Sequence, residues 1–152
     1  MKNTNVIDIN NIIFTDKISS KQEAILKLSE LLVESQIVVD KEKFIEDIFE
    51  RENRGSTFVG ESLAIPHGFS NRVKIPSIAI AKVDNPFPWD GNTNNVKLII
   101  LFAIPEDDEM ERESEVLKKI AAALGDEDLI KDLLNAQTEE NLIYILKSYI
   151  KL

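Results

Sequence analysis

One side chain in this protein is suited to nucleophilic chemistry near neutral pH. His67 is the only histidine, and there is no cysteine. The lack of cysteine excludes disulfide frameworks, thiol catalysis and cysteine-based zinc or iron–sulfur sites. A lone histidine also excludes a multi-histidine metal site. His67 stands in the run Gly60-Glu61-Ser62-Leu63-Ala64-Ile65-Pro66-His67-Gly68. Neutral imidazole is a good nucleophile, and a phosphoryl group on it is readily passed on. Arg51 and Glu52 lie upstream, and a guanidinium beside an imidazole can hold phosphoryl oxygens bidentately. Gly55-Ser56-Thr57 adds a turn with two hydroxyls. These residues point to group transfer. The bland alternative, a histidine that only caps or packs a strand end, stays open on the residues alone.

The elements that must position these groups follow from apolar spacing. Ser20-x-x-Glu23 reads as a capping box ahead of a helix carrying Ile25, Leu28, Leu31 and Leu32. A second helix is expected from Asp40, with Phe44, Ile45, Ile48 and Phe49 on its apolar face and Gly55 beyond its end. Leu63-Ala64-Ile65 reads as a short strand stopped by Pro66, which places His67 at a strand terminus, where α/β proteins bind ligands. Pro66 stiffens that backbone, and Gly68 is expected to let a partner approach the imidazole. Strands are also expected over 77–83 and 96–104, with Pro86, Pro88 and Asp90-Gly91 marking the loop between them. The second run is apolar on both faces, as in a central strand covered on both sides. Three helices close the chain: Val116 to Leu124 before Gly125, a short one opened by Asp126, and a last one opened by Thr138. Two helices, a set of strands and three helices argue an α/β sandwich.

Composition narrows the setting. The chain has 152 residues, 43% hydrophobic and 30% charged, and is expected to form one domain over 1–152. Lys+Arg is 18 and Asp+Glu is 27, a net charge of −9. No basic face for nucleic acid is visible, and an anionic membrane surface would repel the chain. Met1-Lys2-Asn3-Thr4-Asn5 has no apolar signal core, and the longest apolar run, Leu98 to Ile104, is far too short to span a bilayer. The reading is a cytoplasmic chain without direct membrane insertion. The acidic stretch from Glu106 to Glu115 lacks the glycine of a calcium loop and reads as a solvated lead into a helix N-terminus. Trp89 reads as partly buried against a sheet edge.

The segment Glu52-x6-Val59-Gly60-x2-Leu63-Ala64-Ile65-Pro66-His67-Gly68, preceded by Arg51, resembles the active-site signature of the fructose/mannitol-type enzyme IIA domains of the bacterial sugar phosphotransferase system. The nitrogen-regulatory enzyme IIA branch shares that signature. The resemblance extends over nearly the whole chain. It implies an α/β fold with a mixed, mostly parallel central sheet between helical layers. It implies a phosphotransferase with a phosphohistidine intermediate. His67 would take a phosphoryl group from HPr and hand it to an enzyme IIB domain or protein in sugar uptake, with no cofactor and no metal. Arg51 would stabilise the phosphoryl group, with Thr57, Glu61 and Ser62 as further phosphoryl-stabilising neighbours. Many members carry a second histidine near the first; the match places Glu113 there, at the pocket rim. A carboxylate in that place is expected to raise the His67 pKa and to weaken transfer. The alternative function is a regulatory module, in which a protein partner reads the phosphorylation state of His67.

Overall fold

The structure, a computed structural model, describes residues 6–106 and 111–150, with the backbone alone for 111–114. A 3-10 turn (Ile9–Asn11) leads into strand β1 (Ile12–Thr15). Helices α1 (Lys21–Glu34) and α2 (Lys41–Glu52) come next. Six strands are completed by β2 (Phe58–Gly60), β3 (Leu63–Ala64), β4 (His67–Ser70), β5 (Ser77–Asp90) and β6 (Thr93–Pro105). Helices α3 (Glu111–Ala123), α4 (Glu127–Leu134) and α5 (Glu139–Ile150) follow.

The helix starts are set by side-chain caps. Asp40 and Asp126 accept hydrogen bonds from first-turn amides of α2 and α4, and Thr138 accepts from Asn141 N at 3.0 Å ahead of α5. At α1 the box is displaced by one residue. The Ser20 hydroxyl accepts from Glu23 N, while the Glu23 carboxylate accepts from Ser19 N at 2.8 Å and from the Ser19 hydroxyl at 2.9 Å.

The sheet runs β1-β5-β6-β3-β2, with β4 also paired to β6. It is mixed and lies between helical layers, as the resemblance implies. Three of its five pairings are parallel, and β5–β6 and β2–β3 are antiparallel. Alternation along the strands divides the interior in two. Ile78, Ile80, Leu98, Ile100 and Phe102 pack towards α3, α4 and α5. Ala79, Ala81, Ile99, Leu101 and Ala103 pack towards α1 and α2. The helices before the strands thus cover one face and those after them the other.

Three features differ from the sequence expectation. Strand β5 continues through Pro86 and Pro88 to Asp90, where a loop was expected. The prolines fit because the register shifts between Lys82 and Phe87 and both rings lie on the exposed side, while Phe87 and Trp89 turn inward. Trp89 is accordingly buried in the core. His67 opens β4 instead of ending a strand. Leu63 pairs with Leu98 and His67 with Phe102, so β3 and β4 keep one register on β6 and form a single strand interrupted at Ile65-Pro66. β1, with its apolar run Ile12-Ile13-Phe14, and β2 are strands beyond those expected.

Gly68 has a different task from the one expected. A Cβ placed on it would lie 2.4 Å from Phe44 Cε1 and 3.0 Å from Ile48 Cγ1. Its missing side chain therefore admits α2 against β4, not a partner to the imidazole. Gly68→Ala is expected to lower stability by about 1–3 kcal/mol through overpacking. Denaturant unfolding of this variant and of Gly68→Ala/Phe44→Leu checks it: the second change should recover much of the loss. Additive losses would place the strain elsewhere.

Candidate functional site

The interruption at Pro66 determines the state of the imidazole. His67 Nδ1 lies 2.7 Å from the Ile65 carbonyl oxygen. A carbonyl can only accept, so Nδ1 carries the proton and Nε2 keeps its lone pair. The ring stacks on Phe102 with centroids 5.4 Å apart and planes 23° off parallel. It borders a cleft of about 190 Å³ with Phe102, Ile104, Leu117, Lys118 and Ala121. A wider groove of about 860 Å³ between β1 and α1 contains none of the expected site residues.

Burial is the first cause of a His67 pKa below the ordinary 6.5. The hydrogen bond to Ile65 opposes that shift, the Arg51 charge adds to it, and the Glu52 charge opposes it. Among the described residues the net effect is downward; the rise expected from Glu113 concerns a side chain that lies outside them. The imidazole is thus neutral at pH 7, with a nucleophilic nitrogen available.

Arg51 lies in the last turn of α2, and its Nη1 donates to the Gly55 carbonyl at 2.8 Å. Its charge is among the influences that lower the His67 pKa. Thr57 is buried, and its hydroxyl donates to the Glu52 carboxylate instead of facing the imidazole. Glu61 and Ser62 form the β2–β3 turn, with φ of 53° and 66°. Four residues of mostly extended chain lie between Ser62 and His67, five steps or about 16 Å at the usual strand rise. Glu61 borders a separate groove with Val59 and Ile65 that shares only Ala121 with the His67 cleft. Glu113 falls in the first turn of α3, four residues before Leu117, and its side chain lies outside the described residues. Asp107, Asp108 and Glu109 of the acidic stretch also lie outside them.

Sequence reasoning missed two neighbours of the imidazole. Phe102 was legible only as one apolar residue of a central strand. Lys118, exposed and 3.1 Å from Glu115, adds a cation to the cleft wall. Its position one residue after Leu117 was the available signal.

These features fit a known family. A family model described as the phosphoenolpyruvate-dependent sugar phosphotransferase system, EIIA 2, matches residues 5–149, and the chain belongs to that family. The chain is 32% identical over 139 residues to the mannitol-specific phosphotransferase enzyme IIA component of Geobacillus stearothermophilus, covering 90% of this chain and 91% of the relative. It is 30% identical over 132 residues to the 2-O-alpha-mannosyl-D-glycerate-specific EIIABC component of Escherichia coli, where 86% of this chain matches only 20% of the relative's length. The nitrogen regulatory protein IIA-Ntr from Neisseria meningitidis superposes with a TM-score of 0.77 at 28% identity, over 91% of this chain and 94% of the other. Enzyme IIA in a complex of IIA mannitol with phosphorylated IIB mannitol from Escherichia coli shares the fold, with a TM-score of 0.75 at 23% identity over 93% and 97%. Among the described residues, no helix is long and apolar enough to cross a membrane.

The depressed pKa gives a test by titration. Arg51→Gln removes a charge that disfavours imidazolium, so the His67 midpoint should rise towards 6.5. NMR titration of the single histidine reads it directly. Because the folded pKa lies below the unfolded one, His67 contributes stability above pH 6.5 that is lost as pH falls through the folded pKa. A midpoint unchanged or lowered in Arg51→Gln would separate the guanidinium from the site.

Proposed function

We propose that the chain is a phosphocarrier that accepts a phosphoryl group from HPr on His67 Nε2 and passes it to an enzyme IIB component in sugar uptake. The observation that carries this reading is the Nδ1–H bond to the Ile65 carbonyl, which leaves Nε2 as the free nucleophile. Family membership supports it, and the solved IIA–IIB complex supports an enzyme IIB partner. The Nε2 lone pair attacks phosphorus on phospho-HPr. The new N–P bond forms as the bond from phosphorus to HPr breaks, and that electron pair stays on HPr. In the second step a nucleophile of enzyme IIB takes the phosphoryl group, and the electron pair returns to Nε2. Arg51 meets the added charge of roughly −2 with a planar pair of donors. The setting is the cytoplasm, where phospho-HPr is found.

Incubation with phosphoenolpyruvate, enzyme I and HPr is expected to add one acid-labile phosphate, and none to His67→Ala. Arg51→Lys should slow labelling about tenfold, since a point charge cannot reproduce the fork. Label on His67→Ala would place the acceptor elsewhere.

The regulatory reading draws on the likeness to IIA-Ntr and on Glu113 standing where a second histidine is expected. It replaces the transport reading if phospho-His67 forms but no enzyme IIB of the same genome discharges it. We place Glu113 at the pocket rim, because it precedes Leu117 of the cleft by one helical turn. A carboxylate there repels a phosphorylated imidazole, so Glu113→His should lengthen the phosphoprotein half-life by about threefold or more. An unchanged half-life would put Glu113 outside the site.

A further inference from the structure

Glu52 is the most confined charge in the molecule's site region. Its side chain is 2% exposed, yet both oxygens are paired. Oε1 accepts from the Thr57 hydroxyl, and Oε2 accepts from Lys21 Nζ at 2.9 Å. Lys21 also donates to Asp90 Oδ1 at 3.1 Å and lies 5.1 Å from the centroid of Trp89. The other Asp90 oxygen accepts from Ser56 and Asn94. One carboxylate therefore joins the start of α1, the end of α2, the 53–57 turn and the tip of the β5–β6 hairpin.

Two branches leave this carboxylate. One runs through the last turn of α2 to the adjacent Arg51, whose Nη1 is held by the Gly55 carbonyl of the same turn. The other runs through Thr57. The Thr57 carbonyl accepts from Ile65 N at 3.0 Å, and the Ile65 carbonyl accepts from His67 Nδ1 at 2.7 Å. The cation and the nucleophile are thus both referenced to Glu52. A buried ion pair is a weak source of stability, because desolvation offsets much of its Coulomb energy. Its directional bonds can instead define a geometry.

We propose that Glu52, paired with Lys21 and Thr57, is a positioning residue that fixes the Arg51 guanidinium relative to Nε2 of His67. This rests on the reading of His67 as a phosphoryl acceptor. Misplacement by about 1 Å can cost on the order of a hundredfold in a transfer step. Removing one bond of the clamp should therefore appear in the rate and not in donor binding.

The test uses the whole chain and two phosphoryl donors. With phospho-HPr, Thr57→Val and Glu52→Gln should each lower kcat about tenfold or more, with KM changed less than about twofold. Thr57→Val alters no charge, and Thr57→Ser should restore most of the rate lost in Thr57→Val. Phosphoramidate is the second donor: its P–N bond breaks as the Nε2–P bond forms, and ammonia leaves with a proton. The same ratios are expected with it. If wild type labels from phosphoramidate but not from phospho-HPr, the HPr reading falls while the positioning role is still measured. No label on wild type from either donor overturns both. If Glu52→Gln does not fold, the Thr57 pair decides. Thr57→Val reacting at the wild-type rate with both donors overturns the proposal, as does a loss that Thr57→Ser does not restore.

Discussion

The site depends on one interrupted strand. β3 and β4 share a register on β6, so the break at Ile65-Pro66 leaves the sheet aligned on both sides. Pro66 has no amide hydrogen, and its carbonyl accepts from Phe102 N at 2.9 Å. The carbonyl just before it, that of Ile65, accepts from His67 Nδ1. That single bond selects a tautomer, and the tautomer leaves Nε2 with its lone pair. The next residue extends the constraint to the opposite face. Gly68 admits Phe44 and Ile48, so α2, whose last turn carries Arg51, lies close against β4. One short stretch of backbone therefore determines both the state of the nucleophile and the reach of the nearby cation.

Much of this was legible in the sequence. His67, Arg51 and the helices around them are local features: a unique residue, a punctuating proline, caps and helical spacing. The two-faced apolar run over 96–104 announced a covered central strand, and it is one. What was not legible depends on distant partners. Nothing near Gly68 shows that Phe44 will fill its missing side chain. Pro86 and Pro88 signal a loop by local rule, yet the register shift after Lys82 turns both outward in a strand. β1 is four residues long and pairs only with β5; its run Ile12-Ile13-Phe14 follows directly on a 3-10 turn, and local spacing does not tell so short an apolar run from a piece of helix. Thr57 looked like a phosphoryl neighbour because its hydroxyl lies in the signature. Its partner is Glu52, and the charge that balances Glu52 comes from Lys21 on another helix.

Charge is distributed unevenly around the imidazole. The chain carries a net −9, but the cations around Glu52 and along the His67 cleft are held in specific relations. Lys21 is neutralised by Glu52 and Asp90. Lys118 stands beside Glu115 on an exposed helix face, where such a pair contributes little. Arg51 gives one donor to Gly55 and keeps the rest of its fork. Among the described residues, Arg51 is then the cation whose orientation is set by a backbone carbonyl, and in the proposed transfer it meets a dianionic group.

That economy suits a carrier. A carrier must release its group about as readily as it accepts it, and each 1.4 kcal/mol of extra phosphohistidine stabilisation makes release about tenfold less favourable. A second buried cation would hold the phosphoryl group against its next acceptor. The apolar cleft wall works in the same direction: Phe102, Ile104 and Leu117 have no side-chain donors with which to retain phosphoryl oxygens. Burial favours the neutral imidazole, while the cation of the described cleft wall, Lys118, is exposed and paired with Glu115. The same argument gives Glu52 its value. If, as among the described residues, few charged groups act on the phosphoryl oxygens, the placement of the Arg51 guanidinium would govern the rate of the proposed transfer, and a rigid clamp behind it would matter more than additional charge in front.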